Sequence, residues 1–169
     1  MHKEVKEFCE GIKRRFPEYF RDKDVLDCGS LDINGNNRYL FSNCRYLGID
    51  ICVGKNVDVV TPVHLFKTLE RFDVIISTEM LEHDSNWSRS LMNMFRLLNF
   101  DGLLIFTAAG TNRPVHGTSN ENPWDSPKTN DYYQNITVDM IVEALDFNEF
   151  SWFEISYLGT DIRFAGIKR

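Results

Sequence analysis

The sequence predicts an α/β fold: a doubly wound sheet, mainly parallel, with an antiparallel hairpin strand at its carboxyl end. Three observations predict it. Short, continuously apolar strands alternate with helical stretches along the chain, as in a parallel sheet covered on both faces. The first of those strands reaches an acid and breaks into a glycine loop, in "VLDCGSLDINGNN" from Val25 to Asn37. After the last helix come two β-rich runs, "FSWFEISYL" and "IRFAGIKR", that bracket Gly159-Thr160-Asp161.

The elements follow in order. Residues 2–15 set Val5, Phe8, Cys9, Ile12 and Phe16 at helical spacing, and Pro17 disturbs the pattern, so residues 1–22 form an N-terminal helical segment. "KDVLDCG" is the first buried strand. "NNRYLFSNC" can place Leu40, Phe41 and Cys44 on one helix face. "YLGIDI" is the second strand and "VDVV" the third, but the "CVGKN" between them is too short for a crossover helix. The third strand is therefore expected to be short, displaced or irregular. "VHLFKTLERF" reads as helix and "FDVIIST" as the fourth strand, bounded by Glu79. "NWSRSLMNMFRLLNF" is a strongly amphipathic helix with Leu91, Met94, Phe95 and Leu98 on one face, and Met92 is also read as core. Asp101-Gly102 turns into the fifth strand, "LLIFTAA". A loop over residues 110–136 then leads to the helix "TVDMIVEALDF" and the hairpin. No linker divides the chain, so residues 1–169 are read as a single domain.

Composition narrows the function. Of the 169 residues, 43% are hydrophobic and 26% charged, the balance of a globular domain with a sizeable core. A net charge of -6 argues against a broad nucleic-acid surface, and Lys13-Arg14-Arg15 reads as a solvated helix face. No apolar run approaches the roughly 20 residues of a membrane helix. The opening "MHKEVKEFCEGIKRRF" lacks the apolar centre of a secretory signal. Cys9, Cys28, Cys44 and Cys52 show no C-x-x-C spacing and read as buried free thiols. A cytoplasmic protein is expected.

The strand order points to where a ligand sits. In an open α/β sheet, ligands bind beyond the carboxyl ends of the strands, which singles out Asp27, Asp50 and Ser77 to Glu79. A dinucleotide site wants G-x-G-x-x-G, so that backbone amides approach a pyrophosphate. Here Gly29 is followed by Ser30, Leu31 and Asp32; the second glycine is missing, and Asp32 adds negative charge. A ligand carrying an ammonium group, a sulfonium and an adenosine ribose suits these residues better. Asp50 lies 23 positions after Asp27, near the spacing at which a carboxylate accepts bonds from ribose hydroxyls.

With these pieces in place, the chain resembles the class I S-adenosylmethionine-dependent methyltransferases, a family of Rossmann-like fold. The matching stretches are "VLDCGS", "YLGIDI", "FDVIISTEMLEH" and "LLNFDGLLIFTAAG", spanning about Lys23 to Gly110. The resemblance implies S-adenosyl-L-methionine as cofactor. It implies that Asp27 and Gly29 flank the methionine part, with Ser30, Asn34 and Gly35 completing the loop. Asp50 would hold the ribose hydroxyls, Ile51 would pack on adenine, and Ser77, Thr78 and Glu79 would line the pocket near the methyl group. The sequence departs from the family where Leu31 and Ile33 replace glycines. It departs again at "VVTPVHLF", which lacks an acid for the adenine amine and offers His64 as a substitute.

The rest of the site reads less directly. Glu79, Glu82 and His83 read as acids at a helix start rather than as a metal cluster, and no metal is expected. The 110–136 loop carries Arg113, His116, Trp124, Tyr132 and Tyr133. It is either a lid over a small polar acceptor, such as a sugar or a phosphorylated metabolite, or a loop that buries its own aromatics. If the acceptor is a hydroxyl, a base is needed, and His116 and His83 are the candidates. Two other classes stay open: a non-catalytic module that binds a nucleoside or a partner, and a nucleotide-dependent oxidoreductase.

Overall fold

The structure, a computed structural model, describes residues 3–169; His2, counted in the expected first helix, and Met1 lie outside the described residues. Three helices, α1 (Lys3–Arg15), α2 (Trp87–Leu97) and α3 (Val138–Ala144), surround one sheet. Its strands are β1 (Asp24–Cys28), β2 (Arg45–Asp50), β3 (Val59–Val60), β4 (Phe72–Thr78), β5 (Leu98–Ala109), β6 (Phe150–Leu158) and β7 (Asp161–Lys168). They lie in the order β3-β2-β1-β4-β5-β7-β6. All pairs from β3 to β5 are parallel; β7 runs antiparallel between β5 and β6. The Gly159 hairpin is thus the antiparallel end of a mainly parallel sheet, as the sequence predicts.

Strand alternation builds the two faces. Val25, Val74, Ile76, Leu103 and Ile105 point one way and pack on Val5, Phe8, Cys9 and Ile12 of α1. Their neighbours Leu26, Ile75, Leu104 and Phe106 point the other way, against Leu91, Met94 and Leu97 of α2 and Ile141 of α3. Both faces are covered, which is why these strands read as unbroken apolar runs. The basic end of α1 is more engaged than a solvated face. Lys13 Nζ donates to Leu40 O, and Arg15 stacks 4.4 Å from the Trp152 ring and pairs with Glu154 at 3.2 Å.

Two expected helices and one core position are corrected. "NNRYLFSNC" forms one 3-10 turn, Arg38–Leu40, because the backbone of Ser42 is recruited by the preceding segment: Ser42 N donates to Phe20 O, and Asp22 N to Ser42 O. Leu40, Phe41 and Cys44 still reach one core, without a helix to present them. "VHLFKTLERF" keeps only the turn Val63–Leu65, since Leu65 and Leu69 are exposed and a short helix without a packed face is not stable. Met92 is half exposed, whereas Met94 is buried and Phe95 packs on Phe150. The third strand is short as expected, two residues paired with Ile49 and Asp50.

What holds the 63–66 turn is Asn93 of α2, whose amide donates to Val63 O at 2.7 Å and to Phe66 O at 3.0 Å. Asn93→Ala removes both bonds and is expected to lower stability by about 1 kcal/mol or more, read as a reduced urea midpoint.

Candidate functional site

The strand order reverses between β1 and β4: β1 leads outward to β2 and β3, and β4 outward to β5. Beyond the carboxyl ends of these strands lies a cavity of about 390 Å³, the size of a small-molecule site. The β1 loop, the ends of β2 and β4 and the segment after β5 all contribute to its wall.

The β1 loop comes first. Asp27 is buried and lines the cavity; Tyr46 Oη donates to its Oδ2 at 2.5 Å, and Asn37 Nδ2 lies 3.4 Å from Oδ1. Burial dominates over those bonds and pushes its pKa up from 3.8 to about 6. Gly29 turns the chain at φ +80, with its amide and that of Ser30 both donating to Ile49 O. The Ser30 hydroxyl is buried with no hydrogen-bond partner among the described residues. Asp32 closes the loop on itself: it accepts from Gly35 N and Asn36 Nδ2, each at 2.8 Å, and pairs with Lys55. Those partners hold its pKa down at about 2. Asp32 is absent from the cavity wall, so its charge no longer weighs against a phosphate; the missing second glycine still does.

A side chain at position 29 meets two obstacles. An L-residue at that φ costs about 1–2 kcal/mol, and a Cβ there would sit 2.6 Å from Met80 Cγ. Gly29→Ala is therefore expected to weaken ligand binding by pushing Met80 into the cavity, with a small loss of stability. Calorimetric titration of the variant checks it.

The β2 end supplies the second acid. Asp50 Oδ1 accepts from Cys52 N at 2.8 Å and Oδ2 from Leu31 N at 3.2 Å, so one carboxylate ties the β1 and β2 loops together. Burial raises its pKa, against the pull of those amides. A carboxylate has about four lone-pair positions, which leaves two for a ligand. Ile51 follows it on the wall, and Thr61, Pro62 and Val63 form the neighbouring surface. His64, the offered substitute for an adenine acid, is not part of that wall.

The β4 end is acidic and dry. Thr78 and Glu79 line the cavity, but Ser77 does not: its hydroxyl is fully buried and donates to Cys28 O at 2.8 Å. Consecutive strand residues face opposite ways, so Ser77 and Thr78 cannot both reach the wall. Glu79 sits at φ +55 and accepts from Thr107 Oγ1 at 2.8 Å. Burial pushes its pKa up to about 7, helped by the nearby Asp161 charge. Glu82, fully buried, is also pushed up by burial and then by Glu79. His83 goes the other way: burial, and then His116, lower its pKa to about 4, so it is neutral and weakly basic at pH 7.

The 110–136 segment closes the opposite wall. Arg113, His116, Ser126 and Thr129 line the same cavity as Asp27 and Asp50. It is anchored at several points: Arg113 pairs with Asp161 at 2.6 Å, Cys52 Sγ donates to Pro127 O, Lys128 Nζ to Ile51 O, and Gln134 N to Glu82 O. Its aromatics divide. Tyr133 packs edge-on against His83 and His116, while Trp124 is 83% exposed.

The structure therefore brings Asp27, Gly29, Ser30, Asn34, Gly35, Asp50, Ile51, Thr78, Glu79, His83 and His116 to one cavity, and leaves Ser77 out. Sequence reasoning missed Asn37 and Tyr46. Asn37 is buried inside a run of loop residues, where its amide also donates to Thr78 Oγ1 at 3.1 Å. Nothing in "INGNN" sets that asparagine apart. Tyr46, opposite β1 on β2, could have been sought as the partner that a buried Asp27 requires.

Comparison with known proteins agrees with this architecture. The chain superposes on 1,6-didemethyltoxoflavin-N1-methyltransferase of Burkholderia thailandensis, with TM-score 0.67 and 15% identity, over 97% of this chain and 77% of that one. The N-methyltransferase NodS of Bradyrhizobium japonicum gives TM-score 0.64 and 14% identity, over 96% and 86%. Magnesium protoporphyrin IX methyltransferase of Synechocystis gives 0.65 and 12%, over 99% and 79%. At these identities the likeness is one of fold. No curated protein sequence gives a match. A family described as a methyltransferase domain matches residues 1–149, nearly the whole chain, and the resemblance read from the strand-end motifs holds at that level: the chain belongs to the methyltransferase-domain family.

Proposed function

We propose that the chain transfers a methyl group from S-adenosyl-L-methionine to a small polar acceptor. One observation carries this reading. The acids ending the adjacent strands β1 and β2, Asp27 and Asp50, line one cavity together with the Gly29 turn and Ser30. That donor set fits the cofactor: a carboxylate for the ammonium, a carboxylate with two spare lone pairs for the ribose, and a backbone turn open to close approach. Bound there, S-adenosylmethionine supplies a methyl group activated by the sulfonium. Structural relatives of the same fold are described with S-adenosylmethionine or S-adenosylhomocysteine bound, which supports the same ligand here.

The acceptor reading is finer. The corner holding Glu79, His83 and His116 would take the acceptor and its proton, with the partly exposed His116 reached more easily than the buried His83. Arg113, though already paired with Asp161, adds a guanidinium to the same wall, which supports an acceptor with hydroxyl or anionic oxygens, such as a sugar or a phosphorylated metabolite. Calorimetry with S-adenosylmethionine, S-adenosylhomocysteine and NAD tests the cofactor, and labelled-methyl transfer to a metabolite pool tests catalysis. Binding of NAD in preference to the other two sinks this reading. Nucleoside binding without transfer favours the non-catalytic module.

A further inference from the structure

We propose that Glu82, His83 and His116 bind a divalent first-row transition-metal ion at the wall of the cavity. One carboxylate oxygen of Glu82 and one ring nitrogen of each histidine lie within 4.8 Å of one another. The three come from two segments, the turn Leu81–His83 after β4 and the loop after β5, so the fold assembles the cluster and local sequence does not.

The surroundings point to a ligand. Glu82 is 0% exposed and His83 8%, and each has a buried polar atom, Glu82 Oε2 and His83 Nδ1, without a hydrogen-bond partner among the described residues. Burying such groups unsatisfied is costly, and each one in a native fold calls for a partner. The outer bonds are those of a ligand set. Glu82 Oε1 accepts from Ala109 N at 3.1 Å, which fixes the carboxylate while Oε2 is left over. His116 Nδ1 lies 3.1 Å from Pro114 O, a bond that puts the proton on Nδ1 and turns Nε2 into a lone-pair donor. Tyr133 packs its ring on both histidines, at 5.5 and 5.0 Å between centroids.

Two imidazoles and one carboxylate suit ions of the Mn²⁺ to Zn²⁺ series, whereas Mg²⁺ and Ca²⁺ want oxygen ligands throughout. Metal–ligand bonds are about 2.0–2.2 Å, so the three donors would draw together around the ion, and His116, on a loop and partly exposed, is the least enclosed of them. Both histidines line the cavity, so the remaining coordination positions open onto it. The binding claim stands on this geometry alone. The role rests on the methyltransferase reading: the ion would hold and polarise an oxygen or nitrogen of the acceptor in place of a histidine base, since each neutral imidazole has one lone pair and both would be on the metal.

The test titrates Co²⁺ into chelator-treated protein and follows its visible d–d bands. One ion per chain is expected, with bands shifted by nitrogen ligation, displaced by Zn²⁺ and untouched by millimolar Mg²⁺. His116→Ala and Glu82→Gln should each weaken Co²⁺ binding by at least about tenfold. Glu82 is buried, so His116→Ala decides, with far-UV circular dichroism and an unchanged thermal midpoint confirming its fold. Absence of Co²⁺ bands in the wild type, displacement by Mg²⁺, or an unchanged spectrum in His116→Ala overturns the inference. S-adenosylmethionine binding on the same sample separates the two readings. Cofactor without cobalt removes only the metal site, and cobalt without cofactor removes only the proposed function.

Discussion

Asp50→Ala is expected to weaken S-adenosylmethionine binding by at least about tenfold, and Asp50→Asn by less. A charge-assisted hydrogen bond contributes about 1.5–3 kcal/mol, and each 1.4 kcal/mol is a factor of ten in affinity. With Asp50 holding the ribose as proposed, the alanine variant would lose two such acceptors. It also loses the bonds from Leu31 N and Cys52 N that join the β1 and β2 loops, so the wall itself loosens. Asparagine keeps one acceptor oxygen, which can hold Cys52 N at the shorter of the two contacts, while its amide faces Leu31 N donor to donor. Calorimetry should show adenosine and S-adenosylmethionine losing affinity together at this position, since both carry the ribose. Wild-type affinity in Asp50→Ala would mean that the ligand lies elsewhere.

That position was legible because it follows from strand arithmetic. β1, β2, β4 and β5 announce themselves as apolar runs, and the carboxyl ends of strands flanking a reversal in order must converge. Asp27, Asp50, Thr78 and Glu79 were found in this way without any contact being known. The same strand-end rule points to Ser77 as well, but it fixes only where a strand ends and not which way a side chain faces, and the pleat sends alternate side chains to opposite faces. The two helices expected after β1 and β3 failed for another reason. Their apolar spacing was genuine, but in one segment Phe20 and Asp22 take up the Ser42 backbone. In the other, Asn93 takes the carbonyls of Val63 and Phe66. Such long-range bonds leave no periodicity behind. The Glu82–His83–His116 cluster was equally hidden, since only the return of the 110–136 loop to the end of β4 brings His116 to the other two. Spacing along the chain could not supply the third side chain.

Asp27 carries the other large effect, and it runs in two directions at once. In the unfolded chain its carboxyl titrates near 3.8; burial in the fold moves that to about 6. Between those values the unfolded chain has released the proton and the folded protein still holds it. Stability therefore falls as pH rises from about 4 to about 6 and then stays level. The shift of about two units corresponds to about 3 kcal/mol at neutral pH. Asp27→Asn abolishes this titration while keeping an amide that can accept from Asn37 or Tyr46. The variant is expected to be the more stable protein at pH 8 by up to about 3 kcal/mol, roughly 6–12 °C in Tm for a chain of this size, and to match the wild type near pH 4. The same substitution removes the charge that the ammonium of S-adenosylmethionine would meet. Its affinity for S-adenosylmethionine should drop, while affinity for adenosine alone hardly changes, the opposite of the joint loss at Asp50. In the wild type, binding of S-adenosylmethionine should strengthen as pH rises through about 6 and Asp27 ionises. A carboxylate held at a cost to stability and answered by a cation is the pattern of a binding group. Thermal unfolding at pH 4 and pH 8, with titrations of both ligands, separates this from a purely structural acid: equal loss of adenosine and S-adenosylmethionine in Asp27→Asn would show that the ligand lies the other way round.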